Sequence, residues 1–228
     1  MGAFDGYKRR VVDTAQALTA KGYLMATGGN LSVRILERSA FAITPSNYDY
    51  LSMTPDDVCV LDDGLRPLEG SRQPSVESAM HAAIYQVRPD VQAVVHTHQV
   101  YASALTLIGA SIPALFDEQV RFLGRGVDII PYAPSGTGWL KQAIARHVRN
   151  HHNAYLMQNH GALCLGSDLE RAAHNVEILE KCALAYLLTL CTGQSATKIP
   201  LPVREIAFAK LRADQKKVER SLATAQNQ

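Results

Sequence analysis

Val94-Val95-His96-Thr97-His98 is the stretch from which the rest of this chain is read. Val91, Ala93, Val94 and Val95 form a short apolar run behind Pro89-Asp90, the pattern of a buried strand. Side chains two apart on a strand point to one face, so His96 and His98 project side by side. Two imidazoles placed this way can share a divalent ion, and a tetrahedral ion then needs further donors. Leu156-Met157-Gln158-Asn159-His160-Gly161 offers one: an apolar strand running into a histidine and then a glycine. Glu77, in Pro74-Ser75-Val76-Glu77, offers a carboxylate at the start of a helix.

The 228 residues are enough for one substantial core, and a single α/β domain over 1–228 is expected. Lys and Arg number 23 against 21 Asp and Glu, with no basic run, so a nucleic-acid partner is not indicated. Cys59, Cys164, Cys182 and Cys191 form no Cys-x-x-Cys pair and all sit in apolar segments. They read as small buried hydrophobes of a reduced, cytoplasmic protein. Asp5, Lys8, Arg9 and Arg10 interrupt any signal-peptide pattern. The longest apolar run, Cys182 to Cys191, is too short to span a bilayer, so no membrane partner is expected.

The remaining segments follow from periodicity and breakers. Phe4, Tyr7, Val11, Ala15 and Leu18 make a helical face that ends at Lys21-Gly22. Gly28-Gly29 reads either as an anion-binding nest or as a tight turn in which Asn30 takes an unusual backbone angle. Strands are expected at Leu31–Leu36, Phe41–Thr44 and Val58–Leu61, with a short proline-started helix at Thr54-Pro55 and a hairpin turn at Asp62-Asp63-Gly64. A helix over Pro74–Val87 places Val76, Met80, Ala83, Ile84 and Val87 inward, with Ser75 and Glu77 in its first turn, where free amides favour an anion. His81, four residues after Glu77, reads as a packing or interface residue. Val100–Leu107 is helical, and Ile112–Phe116 approaches two carboxylates, Asp117 and Glu118. Val127–Ile130, Ala154–Gln158 and Ala162–Leu165 are strands, and Gly138–His151 is a helix with His147, His151 and His152 exposed near its end and given no metal role. Asp168 caps the most strongly periodic helix, Thr192–Pro202 is a linker, and a last helix runs from Val203 to about Leu222.

With these segments in place the chain resembles the class II aldolase/adducin family, in its L-fuculose-phosphate aldolase-like branch, nearly end to end. The resemblance is carried by Thr-Gly-Gly-Asn (27–30), Ile-Thr-Pro-Ser (43–46), Met-Thr-Pro-Asp-Asp-Val (53–58), Pro-Ser-Val-Glu (74–77), Arg-Pro-Asp-Val-Gln-Ala-Val-Val-His-Thr-His (88–98) and Asn-His-Gly-Ala (159–162). It implies a three-layer α/β/α sandwich around a mostly antiparallel sheet. It also implies a homotetramer with active sites between subunits. One divalent ion per subunit would be held by His96, His98 and His160 with Glu77; zinc is the first choice, with manganese, cobalt or iron possible. A small anionic substrate would be held by Gly29, Asn30, Ser46, Asn47 and Ser75.

The chemistry that the resemblance implies is retro-aldol cleavage of a phosphorylated ketose, with Glu77 as the proton shuttle in a desolvated site that can raise its pKa. The other proton is left open among Asp117, Glu118, Tyr48 and Tyr101. Three departures are visible. Val76 stands where the family's aldolases usually have serine, and Asn47 where they have glycine. Asp117 stands near the place of a catalytic tyrosine, and the last helix supplies no tyrosine. Decarboxylation of an oxo acid or hydroxyaromatic acid uses the same metal chemistry and is the enzymatic alternative. A non-catalytic adducin-like module is the other.

Overall fold

Alternating runs of Val, Ile, Leu and Ala become the strands of one eight-stranded sheet in a computed structural model that describes residues 2–226. In chain order they are β1 (Asn30–Ile35), β2 (Ala40–Ile43), β3 (Cys59–Asp62), β4 (Pro67–Glu69), β5 (Ala93–Thr97), β6 (Asp128–Ile130), β7 (Ala154–Met157) and β8 (Gly161–Gly166). They lie side by side as β4-β3-β2-β1-β5-β8-β7-β6, antiparallel except for the parallel β6–β7 pair. The histidine strand β5 therefore sits near the centre, between β1 and β8.

The two faces of the sheet bury different residues, as a period of two requires. Val33, Val95 and Cys164 pack beneath α1 (Asp5–Ala20), α3 (Val100–Leu107) and α6 (Leu169–Cys191). Phe41, Val94 and Leu163 pack on the opposite face, with α2 (Ser78–Val87) and α5 (Gly138–His147). The expected α/β/α sandwich forms. Beside it, α4 (Asp117–Phe122) and α7 (Leu201–Gln226) meet around Val120, Phe208 and Leu211. No helix among the described residues is long and apolar enough to cross a membrane.

Several expectations are corrected. The helix expected from Pro74 starts at Ser78. Pro74 bridges Pro45, and the Ser75 amide donates to the Thr44 carbonyl, which holds this lead-in extended. Val76 consequently leaves the core face and stands 63% exposed. The left-handed residue of the Gly28-Gly29 turn is Gly29 (φ +80°), while Asn30 already belongs to β1 and Asn47 is itself left-handed (φ +51°). β4 and α4 escaped the sequence because one is three residues long and begins with proline, and the other has only six. His152 is buried rather than exposed, with Nδ1 3.2 Å from Asp128 and its ring edge-on to Phe208; His147 and His151 are half-buried. Cys191 is exposed, unlike the other three cysteines.

One buried ion pair anchors the approach to β5. The fully buried Arg88 holds both Asp90 carboxylate oxygens, at 2.8 and 2.7 Å. The same guanidinium donates to the Val148 and His152 carbonyls and to Asn153 Oδ1. Removing one partner leaves a charge buried and unpaired. Asp90→Ala is expected to lose on the order of 3–5 kcal/mol in urea denaturation.

Candidate metal centre and anion cleft

The sheet register gathers the site at one end. Asn30 of β1 is opposite His96, and Ala162 of β8 is opposite Thr97. The tight β7–β8 turn therefore delivers His160 to the place where His96 and His98 leave β5. Its backbone closes by a His160 amide bond to the Met157 carbonyl and by a left-handed Asn159 (φ +55°). The three histidines present donor atoms within 4.8 Å of one another. Their ring centroids lie 4.7, 4.8 and 5.4 Å apart.

This donor set fits a divalent ion. His96 Nδ1–H donates to the Ala162 carbonyl at 2.8 Å, which leaves the Nε2 lone pair for the cluster, and His98 Nε2 is 3.0 Å from that atom. Burial keeps His96 and His98 in the neutral form that a metal requires: it lowers the His96 pKa to about 4 and also depresses that of His98. A second grouping, Asp90, His151 and Glu219, also brings donor atoms within 4.8 Å. There, however, the Arg88 guanidinium already occupies the place of a cation beside Asp90.

Glu77 closes the cluster from the α2 side. It sits immediately before the helix, with Oε2 3.3 Å from His96 Nε2 and Oε1 3.3 Å from His160 Nε2. Asn30 Nδ2 donates to Oε2 at 2.8 Å and Ser135 Oγ to Oε1 at 2.7 Å. Burial alone works to raise the Glu77 pKa, as expected from the sequence. The neighbouring His96 and the Asn30 and Ser135 hydrogen bonds outweigh it, so the net shift is downward and the carboxylate is ionised. The sign is opposite to the expectation, because Asn30 and Ser135 reach the carboxylate from distant segments and bond its ionised form.

A cleft of about 150 Å³ opens beside this cluster. Gly29, Asn30, Ser46, Asn47 and Ser75 all line it, together with Val76, Glu77, Ser135, His98 and His160. Asp117 and Glu118, expected to move protons, are not brought to it. Glu118 pairs with Lys181 of α6 at 3.0 Å, and Asp117 is exposed at the first turn of α4, which packs against α6 and α7. Tyr48 and Tyr101 do not line it either: Tyr48 accepts from Arg72 at 3.2 Å, and Tyr101 lies in α3. Two contributors were missed. Ser135 carried no signal beyond a hydroxyl in a breaker-rich loop. His81 was read as packing, yet its ring nitrogens lie 2.6 Å from Asn30 Oδ1 and 2.7 Å from Ser32 Oγ.

Comparison with known proteins bears on the family and the fold. Residues 9–187 match the family described as Class II Aldolase and Adducin N-terminal domain. The chain is 36% identical over 198 residues, 86% of each chain, to an L-fuculose phosphate aldolase of Escherichia coli K12. It is 32% identical over 187 residues, 82% of this chain and 87% of the other, to a 5-deoxy-D-ribulose 1-phosphate aldolase of Bacillus thuringiensis. A solved L-fuculose 1-phosphate aldolase superposes with a TM-score of 0.86 at 31% identity, covering 93% of this chain and 98% of that one.

Elemental analysis of the purified protein is expected to find about one divalent ion per chain, held at about 2.0–2.1 Å from the histidine nitrogens if it is zinc. His98→Ala is expected to lose most of it, and full retention would remove the assignment. The metal-free protein is expected to lose stability on acidification. Burial holds the His81 pKa down to about 3 and that of His96 to about 4, so both stay neutral in the fold while unfolded imidazoles protonate. Their contribution is present above about pH 6.5 and is lost as pH falls, toward about 4 for His96 and about 3 for His81. Urea midpoints at pH 7 and at pH 4.5 measure the loss.

Proposed function

The chain belongs to the class II aldolase and adducin family and is a lyase of the aldolase type, and on that footing we propose that it cleaves a phosphorylated ketose, L-fuculose-1-phosphate-like, into dihydroxyacetone phosphate and an aldehyde. The observation that carries this reading is the meeting, at one end of the sheet, of three imidazoles and an ionised carboxylate with a small polar cleft. The activity of the relatives at 36% and 32% identity points the same way, while their differing substrates leave the sugar itself to experiment.

A divalent ion, zinc by first choice, would be held by His96, His98 and His160 with Glu77, and would supply Lewis acidity toward a carbonyl and its neighbouring hydroxyl. Glu77 exchanges a proton with the carbon beside that carbonyl. In the condensation direction it removes the proton as a base, and its ionised state suits that step. In cleavage the reverse holds: Glu77 in its protonated form gives the proton to the same carbon, which receives the electron pair of the broken bond, and is left ionised. Asn30 and Ser135 hold the carboxylate in place by the bonds at 2.8 and 2.7 Å. Gly29, Ser46 and Ser75 offer backbone amides and hydroxyls to the phosphate.

No group positioned to serve the sugar hydroxyl lines this cleft among the four that the sequence offered, and Val76, Tyr132 and Trp139 are 63, 61 and 72% exposed. A homotetramer in which a neighbouring copy completes the cleft accounts for both. A cytoplasmic setting suits three buried free thiols and a phosphorylated substrate. One observation favours a second reading, a decarboxylase acting on a carboxylate substrate: Val76 brings an apolar side chain, not a hydroxyl, to the anion end of the cleft.

Glu77→Gln tests the proton-transfer role. Turnover of a sugar phosphate is expected to fall by about 10²–10⁴ with the metal retained, and near-normal turnover would remove Glu77 from the chemistry. Thermal-shift competition separates the two readings. Protection by inorganic phosphate supports the aldolase, and protection by carboxylates alone supports the decarboxylase.

A further inference from the structure

We propose that His81 is a positioning residue that sets the amide orientation of Asn30, and through it both the Glu77 carboxylate and one donor of the anion cleft; this deepens the reading of the cleft given above. Five buried side chains form an unbroken hydrogen-bonded line. Tyr85 OH lies 2.7 Å from Ser32 Oγ, and Ser32 Oγ lies 2.7 Å from His81 Nδ1. His81 Nε2 lies 2.6 Å from Asn30 Oδ1, and Asn30 Nδ2 lies 2.8 Å from Glu77 Oε2. None of the five is more than 5% exposed, and only the Asn30 and Glu77 end of the line reaches the cleft.

Donor and acceptor capacities leave one arrangement of protons along this line when the imidazole is neutral. An ionised Glu77 only accepts, so Asn30 turns its NH₂ toward it. The Asn30 carbonyl oxygen then faces His81, and it too only accepts. His81 Nε2 must therefore carry the hydrogen, which makes Nδ1 the acceptor. Ser32 donates to Nδ1, and Tyr85 donates to Ser32. A flipped Asn30 amide would set an oxygen against the Glu77 carboxylate and an NH₂ against the His81 N–H, two clashes of like partners.

The consequence reaches the cleft because Asn30 Nδ2 has two hydrogens. Glu77 takes one, and Asn30 lines the cleft, where the second serves an anion. Without the His81 N–H the amide is held from the Glu77 side alone and its Oδ1 is left unpaired, so the donor that carboxylate and anion share is no longer fixed in place. The placement follows from two simple patterns. Asn30 and Ser32 alternate on one face of β1, and His81 and Tyr85 are four apart on α2.

The test uses the metal-loaded protein and inorganic phosphate as probe. His81→Leu is expected to weaken phosphate binding by about tenfold or more, the effect of one lost hydrogen bond to a charged group. His81→Gln, whose amide can donate in the place of Nε2, should recover most of it. In an Asn30→Ala background His81→Leu should have no further effect, because the two residues act as one unit. An equal loss with and without Asn30, or no loss at all, would overturn the proposal. Ser32→Ala, a smaller change, provides the same cycle if His81→Leu does not fold. A readout free of phosphate keeps the proposal separate from the functional reading. The Asn30 side-chain amide hydrogens, followed by NMR, should exchange with solvent at least about tenfold faster in His81→Leu or Ser32→Ala. Unchanged exchange overturns the relay. Phosphate that fails to bind wild type, with faster exchange in the variants, overturns the aldolase reading and leaves the relay standing.

Discussion

Everything at the candidate centre depends on how closely two backbones approach the end of β5. A Cβ at Gly29 would lie 2.6 Å from the His96 carbonyl oxygen, and one at Gly161 would lie 2.4 Å from that of Thr97. A Cβ at Gly28 would meet His98 Nδ1 at 2.8 Å. These are closer than carbon can come, so the strands on both sides of β5 need glycine where they meet it. Gly29 also has φ +80°, which an L side chain rarely adopts. The glycines thus do two things at once. They let β1 and the β7–β8 turn close on the histidine strand, and they leave the imidazoles the space in which their nitrogens converge.

On that frame, burial acts in opposite directions on the two kinds of group it encloses. It disfavours charge on His96, His98 and His81, and there it prevails. It disfavours charge on Glu77 as well, yet there it loses to the adjoining imidazole and two donated hydrogen bonds. The outcome is two imidazoles of the cluster kept neutral, with their lone pairs free, beside one anion, which is what a cation needs from its ligands and what proton transfer needs from a base. The difference lies in the imidazole and the two donors that face the carboxylate, since Glu77 is buried as deeply as its neighbours.

Much of this was legible from sequence, and the limits have physical causes. The helical runs were readable because their period reports burial directly, as in α6 and the faces of α1 and α5, and β5 was readable as a continuous apolar run bounded by Pro89-Asp90. The His-x-His spacing announced two donors, and His160 before Gly161 a third. What failed was short or depended on contact at a distance. β4 and α4 are too brief to show a period. The start of α2 was misplaced because the pairing of Pro74 with Pro45 is long-range. Asp117 and Glu118 stand among the candidates for the second proton, but adjacency in sequence does not say which way an unrecognised helix faces. The sign of the Glu77 shift needed Asn30, 47 residues away, and Ser135, 58 residues away.

The uneven burial of the four cysteines makes the chain its own reporter. Burial pushes the thiol pKa of Cys59, Cys164 and Cys182 upward and screens their sulfurs, whereas Cys191 stands exposed at the end of α6. A thiol reagent therefore meets one reactive site on the folded chain and three more only when a layer of the sandwich opens. Cys59 lies beneath the α2 and α5 layer, and Cys164 and Cys182 lie within the other. The order in which the three are trapped reads out which layer separates from the sheet first.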